Sequence, residues 1–123
     1  MAANERTLEL LTRNLPEVFG EGDARRRRAA IDDLYCDDCV VYSPDGAFVG
    51  RDAVDKFAGD LRATHPQFVY THRGEPQVLA NAGILAWGSG TEGEEPAYTG
   101  LDVILVRDGK IVALYVFLNP SLS

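Results

Sequence analysis

Tyr98–Leu118 reads YTGLDVILVRDGKIVALYVFL, two strand-forming runs that meet at Asp108-Gly109. β-Branched and aromatic residues fill both runs, and Asp-Gly between apolar runs is a strong short-range signal for an antiparallel hairpin. In the first run Asp102 sits among Leu101, Val103, Ile104, Leu105 and Val106, with no alternating polar face. A strand apolar on both faces is expected to be covered on both. An ionised carboxylate buried without a partner is costly enough that it usually takes up a proton instead. Asp102 therefore has two open readings. It is a protonated, inward-facing acid able to donate a hydrogen bond to a ligand oxygen, or a solvated or Arg-paired residue at a strand edge. The hairpin register decides its neighbours. A two-residue loop sets it opposite Tyr115, with Ile104, Ala113 and Phe117 on the same face. A three-residue loop with Gly109 left-handed sets it opposite Leu114, beside Val112, Val116 and Leu118. Both registers are open, and each surrounds the carboxyl with apolar side chains.

Outward from the hairpin, the chain before it reads as more sheet. Val78–Gly90 holds Ile84, Leu85, Ala86 and the only tryptophan, Trp87. Gln67–Arg73 alternates Phe68, Tyr70 and His72 against Val69 and Thr71. Further back the spacing turns helical. Leu8, Leu11, Leu15, Val18 and Phe19 predict a helix from Glu5 to about Phe19, which Pro16 should kink or end near Leu15. Asp23 is placed to cap a second helix carrying Ala30, Ile31, Leu34 and Tyr35. A third runs from about Arg51 to Thr64, with Val54, Phe57, Ala58 and Leu61 on one face. Between them Cys39–Ser43 predicts a short strand and Pro44-Asp45-Gly46 a turn. Three helices followed by long antiparallel strands make an α+β fold, with the helices packed on one face of a curved sheet.

At 123 residues, with no linker or internal repeat, a single domain is expected over 1–123. Twelve basic residues against 19 acidic give a net charge of −7, which argues against nucleic acid and anionic membrane as partners. The basic run Arg25–Arg28 reads as a solvated helix start offset by neighbouring acids. No run approaches the length needed to span a bilayer, and the polar N-terminus does not resemble a signal peptide, so a cytoplasmic location is expected. Cys36 and Cys39 match Cys-x-x-Cys, but they close a helix before a strand and lack further zinc ligands, so two small buried thiols are expected. No metal and no cofactor are expected.

The segment Tyr35–Val54, YCDDCVVYSPDGAFVGRDAV, resembles the connection between the second and third helices of the nuclear transport factor 2-like superfamily. The aromatic helix end, acidic pair, short strand, Pro-x-Gly and Gly-Arg opening a helix carry the likeness, as does the terminal hairpin with its aromatic last strand. The resemblance spans nearly the whole chain and is closest to small SnoaL-like and ketosteroid-isomerase-like members. It implies a cone, or α+β barrel, in which a strongly curved, mostly antiparallel sheet wraps helices around a hydrophobic pocket and pairs as a homodimer through the sheet. By position, Asp102 matches the aspartic acid that donates to the substrate oxyanion in ketosteroid isomerases, a carboxylic acid held neutral by an apolar site. The isomerase base falls on Ser43, whose hydroxyl cannot shuttle protons unaided. The oxyanion tyrosine falls near Leu15, and the supporting tyrosine on Ala58. Steroid isomerase activity is therefore not expected.

The expected cavity is lined by Ser43, Phe57, Trp87, Tyr98, Leu114 and Leu118, with Asp102 as acid. His72, on the strand face of Phe68 and Tyr70, is the candidate base; its other reading is an exposed strand-end histidine. His65 reads as a helix-end residue meeting the dipole. Trp87 is either a wall for a planar ligand or a core residue. Gly100, two residues before Asp102, leaves room for a ligand or a bend. Two functions stay open: an isomerase- or cyclase-type enzyme acting on a small lipophilic carbonyl compound, and a binding module using the same cone without chemistry. In a third reading the sheet face serves only to dock a partner protein.

Overall fold

Pro16 has no N–H to give to an α-helical ladder, and the first helix, α1 (Ala2–Asn14), ends two residues before it. The chain keeps turning: Leu15–Phe19 forms one π-helical turn, closed by the Gly20 N–H donating to the Leu15 carbonyl at 2.6 Å. The α-helix ends near Leu15, one of the two outcomes expected of Pro16, and the π-turn that follows buries Leu15, Val18 and Phe19. The computed structural model describes residues 2–118. Helix α2 (Ala24–Leu34) begins at Asp23, whose carboxylate accepts from the Arg26 N–H at 2.9 Å, the expected cap. Helix α3 (Arg51–Thr64) starts after Gly50, at φ +90°, and closes with the His65 N–H on the Leu61 carbonyl.

The strands are β1 (Tyr35–Ser43), β2 (Gly46–Val49), β3 (Phe68–His72), β4 (Gln77–Leu79), β5 (Ala82–Thr91), β6 (Tyr98–Arg107) and β7 (Lys110–Leu118). They form one sheet in the order β2-β1-β7-β6-β5-β3, with β4 also paired to β5. Only β1 and β7 run parallel. The fold is thus the expected α+β arrangement of three helices on a curved sheet, and the sheet stays open between its edges β2 and β3. Two elements differ from expectation. Strand β1 is longer than Cys39–Ser43 and takes in the whole Cys36-Asp37-Asp38-Cys39 motif, with an irregularity between Tyr35 and Val40. Both thiols are free and buried, and burial pushes the Cys39 thiol up. The run Val78–Gly90 is divided by a tight turn at Ala80, which adopts φ +53°.

The terminal hairpin turns through Asp108 and Gly109, both at positive φ, so Arg107 pairs with Lys110 as a two-residue loop requires. A bulge then intervenes. Val106 pairs with Ile111 but Leu105 with Ala113, which leaves Val112 as the extra residue. The Val106 N–H donates to the Asn81 carbonyl at 2.9 Å. Asp102 consequently lies opposite Val116, neither Tyr115 nor Leu114, on the inward face with Ile104, Leu114 and Leu118. Covering of both faces is not met within one chain. Asp102 and Ile104 are buried, whereas Leu101, Val103 and Leu105 on the outer face are half-exposed.

Arg51, which opens α3, closes the junction between α2 and β1. Its Nε and Nη2 donate to the Tyr35 carbonyl at 3.1 and 2.7 Å, and Nη2 also reaches the Asp32 carbonyl at 3.3 Å. That grip accounts for the Gly-Arg pair at the helix start. Charged hydrogen bonds of this kind are each worth about 2 kcal/mol. Arg51→Ala should lower unfolding stability by about that amount in a urea titration, and Arg51→Lys should recover only part, since an ammonium cannot repeat the two-nitrogen grip.

Candidate functional site

The π-turn, α3 and the inward faces of β3, β5, β6 and β7 enclose a cavity of about 190 Å³. Leu15 and Phe19 enter from the π-turn, and Phe57, Leu61 and His65 from α3 and its end. Phe68, Tyr70, Trp87, Val116 and Leu118 form apolar wall on the strands, and Ser43, Pro44 and Asp45 border it from the β1–β2 turn. Aromatic packing fixes the wall: Phe57 stacks on Phe48 at 4.1 Å and meets Phe19 edge-on at 6.0 Å, while Tyr70 tilts against Trp87 at 5.6 Å.

Asp102 is only 4% exposed and borders this cavity. The Trp87 Nε1–H donates to its Oδ1 at 2.9 Å. Burial, the largest influence, raises its pKa from 3.8 to about 7, against the opposing pull of Trp87 and of Asn14. The Tyr35 hydroxyl donates to Asn14 Oδ1 at 2.5 Å, which fixes which way the amide faces. Asn14 Nδ2 has no partner of full hydrogen-bond geometry among the described residues, and the amide favours the charged form of Asp102 from close by. Tyr35 is fully buried, and burial first, then the Asp102 charge, pushes its phenol well up. Burial likewise raises the Tyr70 phenol, which hydrogen-bonds Ser89.

Gly100 does leave room, and Trp87 takes it. The two are opposite each other in the β5–β6 pair, and a Cβ at Gly100 would lie 2.6 Å from Trp87 Cε2. At the mouth, the His65 ring stacks on Phe68 with centroids 4.4 Å apart and planes 4° apart, and Tyr98 lies 5.8 Å away. Ser43 Oγ accepts from the Asp45 N–H at 3.0 Å and so serves the turn as well as the rim.

Of the residues expected to line a site, Ser43, Phe57, Trp87, Tyr98, Asp102 and Leu118 all border the cavity. Leu114 does not: it is fully buried in the core beneath the helices. His72 is exposed at the end of β3, outside the cavity, and the imidazole that does border it is that of His65. Phe19, Tyr70 and Asn14 were not singled out. The alternation of Phe68 and Tyr70 could have found Tyr70; nothing in a helical asparagine marks Asn14.

A family model described as a SnoaL-like domain matches residues 12–114. Among solved structures the chain is similar to a candidate isomerase of the SnoaL-like family from Agrobacterium tumefaciens str. C58, with TM-score 0.86 and 19% identity over 94% of this chain and 99% of that one. It is also similar to a candidate SnoaL-like polyketide cyclase from Jannaschia sp. CCS1, with TM-score 0.76 and 11% identity over 94% and 86%. A third is a nuclear transport factor 2-like protein of unknown function from Mesorhizobium loti, with TM-score 0.73 and 23% identity over 98% and 96%. At these identities the likeness is one of fold. No curated protein matches the sequence.

Asp102 gives the site a pH signature. Its folded pKa of about 7 lies above the ordinary 3.8, so its contribution to stability is fully present below about pH 4 and is lost as pH rises through 7. At 1.36 kcal/mol per pH unit, the interval amounts to about 4 kcal/mol. Glu9, Glu21 and Asp23, held low by Arg13, by the Asp23 N–H and by the Arg26 N–H respectively, slope the opposite way. The difference between Asp102→Asn and wild type isolates the one group. Urea titrations should show Asp102→Asn gaining on wild type by up to about 4 kcal/mol between pH 4 and 8. The single tryptophan should report the same event, its emission titrating near pH 7 in wild type and not in the variant.

Proposed function

This chain belongs to the SnoaL-like domain family, and from that premise we propose that it binds a small lipophilic carbonyl compound and catalyses its isomerisation or cyclisation, with Asp102 as acid and oxyanion donor. One observation carries the reading: a buried carboxyl, its pKa raised by burial to about 7, borders an apolar cavity. Trp87 donates to Oδ1 and the Asn14 amide lies close by; in this reading the protonated carboxyl donates from Oδ2 to a ligand oxygen. A donor in such a dry site stabilises oxygen charge as it develops, at no cost of reorganisation. The similar structures described as candidate isomerase and candidate polyketide cyclase lend the reaction classes. Cavity size narrows the ligand. About 190 Å³ is room for roughly six waters and lies below the roughly 300 Å³ at which drug-sized sites begin. A ligand of one or two rings matches that size.

A second reading, binding without turnover, has a specific observation behind it: Ser43 stands where the family resemblance places the general base. The proposed assembly for either reading is a cytoplasmic homodimer through the outer sheet face. There Tyr42 and Tyr115 stack at 4.8 Å beside half-exposed Leu101 and Val103 and exposed Phe117. Among the described residues no helix is long and apolar enough to cross a membrane.

Thermal-shift titration with cyclohexanone and 2-tetralone tests the ligand class. At about 100 times its dissociation constant a ligand should add about 2.7 kcal/mol of stability. Asp102→Ala should abolish the shift, while Asp102→Asn should retain binding and lose about 100-fold or more in turnover if the protein is an enzyme. Shifts indifferent to both variants would remove Asp102 from the site. For the assembly, Val103→Lys should convert a dimer to a monomer in sedimentation velocity; a wild-type monomer would refute the proposed pairing.

A further inference from the structure

Beyond the carbonyl reading, we propose that the same cavity takes a second ligand class, a small lipophilic ammonium ion such as an arylalkylamine. Its nitrogen sits on Asp102 and its apolar body on the aromatic wall. The charge of the site argues for such a guest. Asp102 and Asp45 both border the cavity, and among the described residues no lysine or arginine does. The groups that reach the Asp102 carboxyl are the Trp87 indole and the Asn14 amide, both neutral, so neither cancels its charge when it ionises. A buried carboxylate without a counter-charge is costly, and a ligand that brings the counter-charge offsets that cost. The wall suits the rest of the guest. Phe19, Phe57, Phe68, Tyr70, Trp87 and Tyr98 all border the cavity. Aromatic faces attract a cation, and the rings take up hydrocarbon surface.

The elements around Asp102 present little that competes with an incoming cation. The π-turn brings Leu15 and Phe19, α3 brings Phe57 and Leu61, and β7 brings Val116, opposite Asp102, and Leu118. From β3 the Tyr70 phenol is pushed up by burial and hydrogen-bonds Ser89. On β1 the Tyr35 phenol, also pushed up by burial, donates to Asn14 and stays neutral. His65, Tyr98 and Asp45 are the titratable groups at the rim. The two ligand classes therefore call on opposite forms of one carboxyl: a carbonyl oxygen takes a hydrogen bond from the acid, and an ammonium pairs with the carboxylate. Burial raises the Asp102 pKa to about 7, so amine affinity should climb with pH and level off above 7. Below that point it should fall about tenfold for each pH unit. There the proton displaced from Asp102 passes to the buffer; at higher pH none moves.

Calorimetric titration with benzylamine and with its neutral analogue benzyl alcohol, between pH 5.5 and 8.5, reads affinity and proton release together. At pH 8 benzylamine should bind about tenfold more tightly than the alcohol, and at pH 6 it should release about one proton, read by comparing buffers of different ionisation enthalpy. Asp102→Asn should lose the amine preference, its pH dependence and the proton release, while still binding benzyl alcohol. An imidazolium at His65 would also repel a cation at low pH. In His65→Phe, which keeps a ring on Phe68, the slope and the proton release should persist. Equal affinity for amine and alcohol at pH 8 would overturn the assignment. So would an amine preference that survives Asp102→Asn, or one that Asp45→Asn abolishes, which would put the cation at the rim. Binding of 2-tetralone without benzylamine would sink the amine and leave the carbonyl reading standing; benzylamine without 2-tetralone would do the reverse. No binding by any probe would end both.

Discussion

Trp87 and Gly100 face one another across neighbouring strands, and the indole lies where any side chain at position 100 would be. From that seat its N–H reaches Asp102. The missing Cβ is thus what allows the only tryptophan to lie along the floor of the cavity, and the tryptophan is what keeps a buried carboxyl from being entirely unpartnered. Neither effect cancels the other. Desolvation pushes the carboxyl up, one indole N–H and a nearby amide pull it back, and the balance falls close to neutrality, where an acid is most useful as a donor and most responsive to its surroundings.

The helices matter to this balance because they keep water out. Arg27, 8% exposed, joins α2 to α3 through Asp55 at 2.9 Å and also donates to the Glu21 carbonyl, so the two helices are tied together over the sheet. Asn14 at the end of α1 holds that helix to the start of β1 through Tyr35. Its amide nitrogen, lacking a full bond, is the most loosely satisfied buried group near Asp102, and so the place where ionisation of the carboxyl would be felt first.

Much of the fold was legible because the periodicities are clean. The third helix and both terminal strands appear at the expected boundaries, and Asp23 caps as its chemistry suggests. Two departures from expectation turned on one residue too many. The bulge at Val112 shifts the partner of Asp102 by one, and no composition rule announces an extra residue in an unbroken apolar run. The π-turn adds one to the helical count after Pro16, and so places Phe19 on the cavity wall. For His72 the exposed strand-end reading holds, and the imidazole at the cavity is that of His65. His72 shares a strand face with Tyr70 but lies beyond the cavity's end, whereas His65 reaches the rim only because the chain folds α3 back beside Phe68. That is a tertiary fact, invisible in local pattern.

The π-turn and the sheet wall also differ in what changes of chain length they can absorb. Deleting one residue within Leu15–Phe19 would restore α-helical closure and rotate what precedes it by about 100°, reshaping one side of the cavity. The same deletion in β6 would turn Asp102 to the outer face and end the site. The shape of the cavity can therefore change along the helical wall by gain or loss of single codons, while the buried carboxyl on the sheet permits only substitution.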